Sequence, residues 1–168
     1  MSLAIVPGSF DPMTLGHLEI VRRAAAEYDE VVVAVMVNRA KKYLFSIAER
    51  KEIAVRTVAE LPNVRVVTDE GYLIDLFDRL HADAVCKGWR DERDLAYENE
   101  MAEWNLKHNP RFCTRLYASR GEHRTLSSTE VRECLAQGRS IAPFVHPSAL
   151  PLIEGKRGVC SDATPKKR

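Results

Sequence analysis

The sequence predicts an α/β fold built on a doubly wound parallel sheet, and three observations support this. Short apolar runs alternate with helical patterns along most of the chain, which is typical of right-handed βαβ units. The run at residues 31–37 is apolar throughout, as expected of a strand covered on both faces. The 168 residues suit one domain with a sizeable core. We therefore expect a single Rossmann-like domain over residues 1–155, with helices on both faces of the sheet.

The expected elements follow one another in alternation. The strands are short apolar runs, the last with a more alternating pattern, at residues 3–6, 31–37, 64–67, 82–86 and 112–118. Stretches with helical periodicity lie between them, at about residues 16–28, 47–60, 72–81 and 91–107. A further helix is expected after residue 127, and a last short one near residue 147.

Local signals mark the helix boundaries. Ser46 and Glu49 have the spacing of a capping box at the start of the second helix, and Pro62 is expected to end it. Ser127 begins another helix in the same way, with Gly138 as its C-terminal cap. These residues satisfy backbone groups that lack helical partners at the two ends of a helix.

Composition argues against several classes of function. A net charge of +1 gives no general attraction to nucleic acid, and the longest apolar run is far too short to span a membrane. The N-terminus has no basic segment or long apolar leader, so we expect a cytoplasmic protein. Four scattered cysteines without a C-x-x-C pair predict neither a structural zinc site nor disulfides. Residues 156–168 have few apolar side chains and no periodic face, which predicts a disordered tail.

The most informative segment is residues 7–17, which read PGSFDPMTLGH. It joins an expected strand to an expected helix through a loop that contains Gly and Pro. Gly8 lets the backbone pass close to a ligand, and the helix N-terminus offers free N–H groups and the positive end of its dipole. The segment contains neither a dinucleotide fingerprint nor a P-loop motif. It therefore predicts a cradle for nucleotide phosphates of another type.

The same segment resembles the T/H-x-G-H signature of the nucleotidyltransferase superfamily, through Thr14, Gly16 and His17. Within that superfamily, Thr at position 14 resembles the phosphopantetheine adenylyltransferase family, and the resemblance extends over about residues 3–153. It implies transfer of the adenylyl group of ATP to 4′-phosphopantetheine, giving dephospho-coenzyme A and pyrophosphate in coenzyme A biosynthesis. It also implies Mg²⁺ as the cofactor.

A second segment extends the resemblance. Residues 38–45, which read NRAKKYLF, resemble the family's S-K-K-x-x-F segment. Lys41 stands at the position whose amine meets the acceptor phosphate. The alternative interpretation is a solvated basic loop.

A third segment, residues 87–98, resembles the family's R/K-G-L-R and D-F-E-Y-E motifs. The resemblance implies that Lys87 faces the acceptor, that Arg90 holds ATP phosphates, and that Glu98 lies near the nucleotide. A guanidinium suits phosphate because its fixed fork of donors matches the oxygens. The alternative is a solvated charged loop leading into a surface helix. Three residues depart from the family pattern: Trp89 for Leu, Leu95 for Phe and Ala96 for Glu.

A fourth segment resembles the family's S-S-S run, which precedes a helix and follows an aromatic-Ser-Phe-Ile sequence. Ser127, Ser128 and Thr129 provide hydroxyls and a helix start suited to the β and γ phosphates, and they serve equally as a simple cap. The residues before them depart from the family pattern: His123, Arg124, Thr125 and Leu126. Leu73 matches a position that lines the acceptor pocket, with core packing as the alternative.

The resemblance thus implies three sets of site residues. The catalytic residues are His17, Lys41 and Arg90. The ATP-binding residues are Ser9, Phe10, His17, Gly88, Trp89, Arg90, Glu98, His123, Arg124, Thr125, Leu126, Ser127, Ser128 and Thr129. The acceptor-binding residues are Ser9, Lys41, Leu73 and Lys87. No protein residues are expected to ligate a metal, because substrate phosphates and water supply most ligands of Mg²⁺.

Two other functions stay open at this point. A related nucleotidyltransferase would transfer adenylate to nicotinate or nicotinamide mononucleotide, or cytidylate to an alcohol phosphate; Thr14 and the segment 38–45 speak against it. A non-catalytic nucleotide sensor on the same scaffold is the second alternative. The joint presence of His17, Lys41 and Arg90 favours the enzyme. The resemblance alone implies a homohexamer.

Overall fold

The computed structural model describes residues 1–124 and 126–157. The strands in this part are β1 (Leu3–Gly8), β2 (Glu30–Met36), β3 (Val64–Asp69), β4 (Ala84–Trp89) and β5 (Thr114–Ala118). The helices are α1 (Leu15–Glu27), α2 (Ile47–Thr57), α3 (Leu73–Arg79), α4 (Glu92–His108), α5 (Ser128–Ala136) and α6 (Leu150–Glu154), with a 3₁₀ turn at Gly121–Arg124. The predicted alternation of strands and helices is confirmed.

The sheet has the order β3-β2-β1-β4-β5, and every neighbouring pair is parallel. The chain builds outward from β1 to β3 and then returns across the sheet to β4. The direction of winding therefore reverses between β1 and β4, and a crevice forms beyond the carboxyl ends of strands at such a point. The predicted doubly wound, Rossmann-like fold is confirmed. Its topology predicts a ligand site at the carboxyl ends of β1 and β4.

Two apolar layers cover the sheet, one on each face. Successive residues of β1 point to opposite faces, so Ala4 and Val6 pack into the first layer while Ile5 packs into the second. The first layer includes buried side chains of α1, α2, α5 and α6, and the second includes Leu76 and Phe77 of α3. Full burial of one such large apolar side chain stabilises the fold by about 1.5–3 kcal/mol. The layers confirm that helices lie on both faces.

The predicted caps are present at α2 and α5. Ser46 and Glu49 form a reciprocal capping box, with N–H to side-chain oxygen distances of 3.0 and 3.1 Å. The hydroxyl of Ser127 accepts a hydrogen bond from the third helical N–H at 3.1 Å. Gly138 follows α5 with φ of 71°, a left-handed conformation that glycine adopts without steric cost. The helices therefore begin at the residues that the capping signals indicate.

Several boundaries differ from the sequence-based expectation, and the following three are among them. β4 runs to Trp89, because its pairing with β5 continues to that residue, so Lys87 and Gly88 lie within the strand. α2 ends at Thr57, and Pro62 lies in the turn beyond rather than ending the helix. The last helix begins at residue 150, three residues later than residue 147.

Two residues of the predicted tail are described. Lys156 Nζ lies 3.2 Å from a carboxylate oxygen of Glu49, and Arg157 donates to Glu154 at 3.0 Å. These contacts join residues 156 and 157 to α2 and α6. The remaining tail, residues 158–168, lies outside the described residues.

Candidate active site

A cavity of about 370 Å³ opens at the carboxyl ends of β1 and β4, where the winding of the sheet reverses. The loop after β1 and the start of α1 supply Phe10 and His17. β4 and the residues after it supply Lys87, Gly88, Arg90 and Glu98. The segment that leads into α5 supplies His123, Leu126, Ser127, Ser128 and Thr129. The fold thus brings most of the predicted nucleotide residues into one cavity.

His17 lies in the first turn of α1 and takes part in its N-terminal cap. The hydroxyl of Thr14 accepts from the N–H of His17 at 3.3 Å, and the N–H of Thr14 donates to Nδ1 of His17 at 3.0 Å. Because Nδ1 accepts that bond, the neutral ring carries its proton on Nε2. Burial, and after it the positive charge of Arg90, lower the pKa of His17 to about 4. His17 is therefore an uncharged hydrogen-bond donor at neutral pH.

Two glycines at the strand ends allow side chains to pack directly against the backbone. A Cβ on Gly8 would lie 2.9 Å from the ring of Phe10, and a Cβ on Gly88 would lie 2.9 Å from Ile20. Both distances are shorter than an ordinary contact. The ring of Phe10 stands edge-on to the imidazole of His17, with 5.0 Å between centroids. Gly8 thus makes room for the aromatic ring that packs beside His17.

Lys87 and Arg90 are each paired with a carboxylate on α4. Lys87 Nζ lies 2.7 Å from Oε2 of Glu98, and Arg90 donates through Nε to Oδ2 of Asp94 at 3.1 Å. The N–H of Arg90 donates to the same oxygen at 3.2 Å, which fixes the residue at two points. Asp94 and Glu98 lie one turn apart and share a face of α4. Since Asp94 uses Nε, the two Nη groups keep their fork geometry for a phosphate.

The start of α5 borders the cavity with hydroxyls and backbone N–H groups. The hydroxyl of Ser127 caps the helix, and that of Ser128 donates to the carbonyl of Pro12 at 2.8 Å. Thr129 is exposed at the edge of the cavity. The Ser128 hydroxyl has already donated its proton, whereas the Ser127 hydroxyl only accepts in the cap and keeps its own O–H. The Ser127 O–H and the N–H groups of the first helical turn are therefore the candidates for binding an anion.

His123, in the 3₁₀ turn before α5, contacts a carboxylate on α1. Its Nδ1 lies 2.6 Å from Oε2 of Glu19, and both side chains are largely buried. Sequence reasoning missed Glu19, because the two partners are 104 positions apart and no local pattern links them. It also missed Asp94 as the partner of Arg90, although the i,i+4 spacing was a usable signal.

Four predicted residues are absent from the lining of the cavity. Lys41 is exposed in the loop after β2, and Trp89 is partly buried at the end of β4. Leu73 packs against the second apolar layer. Ser9 turns its carbonyl toward Arg50, which donates to it at 2.7 Å. Thr125 and the side chain of Arg124 lie outside the described residues.

The loop that carries Lys41 is anchored at its base. The buried carboxylate of Asp11 accepts hydrogen bonds from the backbone N–H groups of Leu44 and Phe45 at 3.0 and 2.9 Å. The guanidinium of Arg50 lies 3.9 Å from the ring centre of Tyr43. These contacts hold residues 43–45 against the loop after β1, while the tip of the loop extends into solvent.

Two features of the described residues bear on metals and membranes. Within residues 1–124 and 126–157, no group of three or more His, Cys, Asp or Glu side chains is arranged to hold a metal ion. In the same part of the chain, no helix has the length and apolar character needed to cross a membrane.

Comparison with known proteins identifies relatives of the chain. The profile of the cytidylyltransferase-like family matches residues 5–134. The chain is 37% identical to the phosphopantetheine adenylyltransferase of Lachnoclostridium phytofermentans, over 93% of this chain and 96% of the relative. It is 40% identical to that of Caldanaerobacter subterraneus, over 86% and 91%, and 37% identical to that of Limosilactobacillus reuteri, over 86% and 84%.

A solved structure supports the same fold. The protein comes from Vibrio parahaemolyticus and is provisionally assigned as a nicotinate-nucleotide adenylyltransferase. It superposes with a TM-score of 0.76 over 96% of this chain and 98% of the other. The two sequences are only 17% identical, so this likeness shows the fold alone.

Proposed function

The chain belongs to the phosphopantetheine adenylyltransferase family of cytidylyltransferase-like nucleotidyltransferases, and we propose that it transfers the adenylyl group of ATP to 4′-phosphopantetheine. The products are dephospho-coenzyme A and pyrophosphate. The reaction is a step of coenzyme A biosynthesis, which we place in the cytoplasm. The observation that carries the proposal is the cavity between β1 and β4, where His17, Arg90 and the start of α5 meet.

The reaction needs positioning more than proton transfer. The terminal phosphate of 4′-phosphopantetheine attacks the α-phosphorus of ATP, a new P–O bond forms, and the bond to the bridging oxygen of pyrophosphate breaks. The nucleophile is already an anion, so no general base is required. Catalysis then depends on bringing two polyanions together in line and on stabilising the charge of the transition state.

In this proposal His17 acts as a fixed, neutral donor. Its Nδ1 is occupied by the N–H of Thr14, so Nε2–H is the group that it offers to the α-phosphate. A pKa of about 4 keeps the ring uncharged through the working range of pH. A donor that is held in place before the reaction stabilises developing charge without reorganising.

Arg90 and the start of α5 would bind the leaving pyrophosphate. The Nη groups of Arg90 and the N–H groups of the first turn of α5 both suit phosphate oxygens. Lys87 would exchange its contact with Glu98 for the acceptor phosphate. Oε2 of Glu98 is covered and lies 2.7 Å from Nζ of Lys87, so that departure of Lys87 would uncover an acceptor for a ribose hydroxyl.

Nucleotidyltransferases generally use a divalent metal ion, and we propose that Mg²⁺ enters bound to ATP. The carboxylates of Asp94 and Glu98, which line the cavity, are paired with cations. This arrangement fits an ion that takes its ligands from the triphosphate and water rather than from the protein. The ion would neutralise charge on the leaving pyrophosphate.

The acceptor end of the proposed site is formed by Ser9, Lys41, Leu73 and Lys87. Lys87 lines the cavity, and the other three lie on or beside the loops that follow β1, β2 and β3. The carboxyl ends of these parallel strands share one edge of the sheet, so the loops lie on the same side as the cavity. Lys41 would neutralise the acceptor phosphate once the acceptor is bound.

One assay tests the proposed function against its rivals. Pyrophosphate release is measured with ATP and, in turn, 4′-phosphopantetheine, nicotinate mononucleotide and nicotinamide mononucleotide. We expect release with 4′-phosphopantetheine at a rate at least tenfold above the others. Faster release with a mononucleotide would support the related adenylyltransferase instead. ATP binding without release for any acceptor would support the nucleotide sensor.

We also propose that the chain assembles into a homohexamer. The outer side of α4 carries large exposed side chains at helical spacing, namely Tyr97, Met101 and Trp104, with His108 stacked 3.8 Å from the indole. Such a stripe on a monomer is typical of an interface. Sedimentation should give six copies, and a monomer at micromolar concentration would contradict the proposal.

A further inference from the structure

A second histidine of the cavity, His123, is held by a carboxylate of α1. Nδ1 of His123 lies 2.6 Å from Oε2 of Glu19, with 24% and 20% of the two side chains exposed. We infer that Glu19 is a positioning residue, which fixes the ring of His123 so that Nε2 accepts a hydrogen bond from the nucleoside half of ATP. This inference rests on the proposed function, because it takes ATP as the ligand of the cavity.

The direction of the contact follows from the chemistry of its partners. An ionised carboxylate only accepts hydrogen bonds, so the proton between Glu19 and His123 belongs to Nδ1. In the neutral ring Nε2 then carries a lone pair, and no hydrogen bond within the described part of the chain uses it. Phosphate oxygens are acceptors as well and cannot pair with it. The adenine amino group and the ribose hydroxyls can donate to it.

His17 and His123 are therefore opposite in hydrogen-bonding polarity, and α1 fixes both. Nδ1 of His17 accepts from Thr14 and leaves Nε2 as a donor, whereas Nδ1 of His123 donates to Glu19 and leaves Nε2 as an acceptor. Both rings line the same cavity. A nucleotide offers the matching set, with acceptors on its phosphates and donors on its base and sugar.

Nitrogen-15 NMR of the imidazole rings tests the polarity directly, on the whole protein at pH 8. We expect the proton of His17 on Nε2 and that of His123 on Nδ1, with the His123 signals identified through His123→Gln. In Glu19→Ala the proton of the His123 ring should no longer favour Nδ1 over Nε2. A His123 ring that carries its proton on Nε2 in the unaltered protein would overturn the inference.

A double-mutant cycle tests whether Glu19 acts through His123. Calorimetry with MgATP and no acceptor should show a roughly three- to tenfold higher Kd for Glu19→Ala and for His123→Ala, as for one lost hydrogen bond. The double variant should be no weaker than His123→Ala, and Glu19→Gln, which keeps an acceptor oxygen, should recover part of the loss. Glu133→Ala, on the exposed side of α5, is the matched control and should leave Kd unchanged. Two effects that multiply in the double variant would overturn the inference.

Nucleotide analogues identify the donor on the ligand. If the donor is the adenine amino group, inosine triphosphate binds the unaltered protein more weakly than ATP, and His123→Ala removes the difference. If the donor is a ribose hydroxyl, 2′-deoxy-ATP or 3′-deoxy-ATP binds the unaltered protein more weakly than ATP, and His123→Ala removes that difference. Either result supports the inference, and an effect of His123→Ala that is equal for ATP and all three analogues would overturn it.

Failure of the proposed function has a different signature. Missing pyrophosphate release, together with the expected tautomers and cycle, would overturn the proposed reaction and leave the Glu19–His123 pair intact. Normal pyrophosphate release, together with an unchanged Kd for MgATP in Glu19→Ala, would overturn the inference about Glu19 and His123 and leave the proposed reaction standing.

Discussion

The loops after β1 and β2 stand at the same edge of the sheet, yet they are built in opposite ways. Residues 10–14 after β1 are all buried, and they position His17 through the cap of α1. Residues 38–42 after β2 are all exposed, and Lys41 lies among them. The first loop is packed into the core of the domain, whereas the second is anchored only at its base.

The difference indicates which half of the proposed site is in place before substrates bind. The proposed nucleotide half is already assembled, because the cap and Gly8 hold His17 in place and Asp94 holds Arg90. The proposed acceptor half includes Lys41, which does not line the cavity. We expect substitutions in the first loop to affect catalysis and stability, and those in the second to affect acceptor use alone.

The largest expected effect is on turnover, through His17. His17→Ala should lower kcat by about 10²–10³, as for the loss of one fixed donor to developing charge. His17→Asn keeps an acceptor for the N–H of Thr14 and so separates catalysis from capping. Steady-state rates with ATP and 4′-phosphopantetheine check this, and near-normal turnover in both variants would remove His17 from the mechanism.

The pH dependence of stability should reveal the neutral state of the same ring. The pKa of His17 is about 4 in the folded chain against 6.5 for an ordinary histidine. Between these values the unfolded chain binds more protons, so the free energy of unfolding falls as pH decreases from about 6.5 to about 4. The contribution is on the order of 3 kcal/mol. Urea unfolding should show this slope in the native protein, and an equal slope in His17→Asn would contradict it.

The packed contact between the two loops should carry a measurable part of the stability. Asp11→Asn replaces an acceptor oxygen with a donor opposite the buried N–H groups of Leu44 and Phe45. The free energy of unfolding should fall by about 2 kcal/mol, the cost of one unsatisfied buried group. Asp75→Asn, on the exposed side of α3, is the control and should change little. Equal stability of the two variants would show that the loop base is not held by Asp11.

The smallest expected effect concerns the exposed loop. Lys41→Ala should raise the KM for 4′-phosphopantetheine on the order of tenfold, since one charge-assisted contact to phosphate is lost. The KM for ATP should stay the same. Lys42→Ala has the same change of charge in the same loop and serves as the control. A rise of both Michaelis constants, or an equal effect of Lys42→Ala, would contradict a specific role of Lys41 in acceptor binding.

The fold could be predicted from sequence because its signals are local. The uninterrupted apolar run of β2 and the capping spacing of Ser46 and Glu49 each indicate an element from a few neighbouring residues. The sequence predicts the end of β4 too early, because polar Lys87 interrupts the apolar run. The pairing with β5 that extends the strand is not visible in the sequence of one strand.

Only the site residues that lie within recognisable motifs could be predicted from the sequence. The resemblance indicated His17 and Arg90, which line the cavity together. It could not indicate how these groups are held, because such contacts join distant positions. Asp11 lies 34 positions from Phe45, and Glu19 lies 104 positions from His123. The packing of the folded chain alone brings these partners together.

Titration of the free protein with MgATP, in the absence of any acceptor, tests most directly whether the nucleotide half is assembled beforehand. Calorimetry should give saturable binding with one ATP per chain. Lys41→Ala should bind with the same Kd, and Arg90→Ala should bind about tenfold more weakly, as for one lost charged contact. No ATP binding until 4′-phosphopantetheine is added, or equal weakening by Lys41→Ala and Arg90→Ala, would show that the nucleotide half is not assembled beforehand.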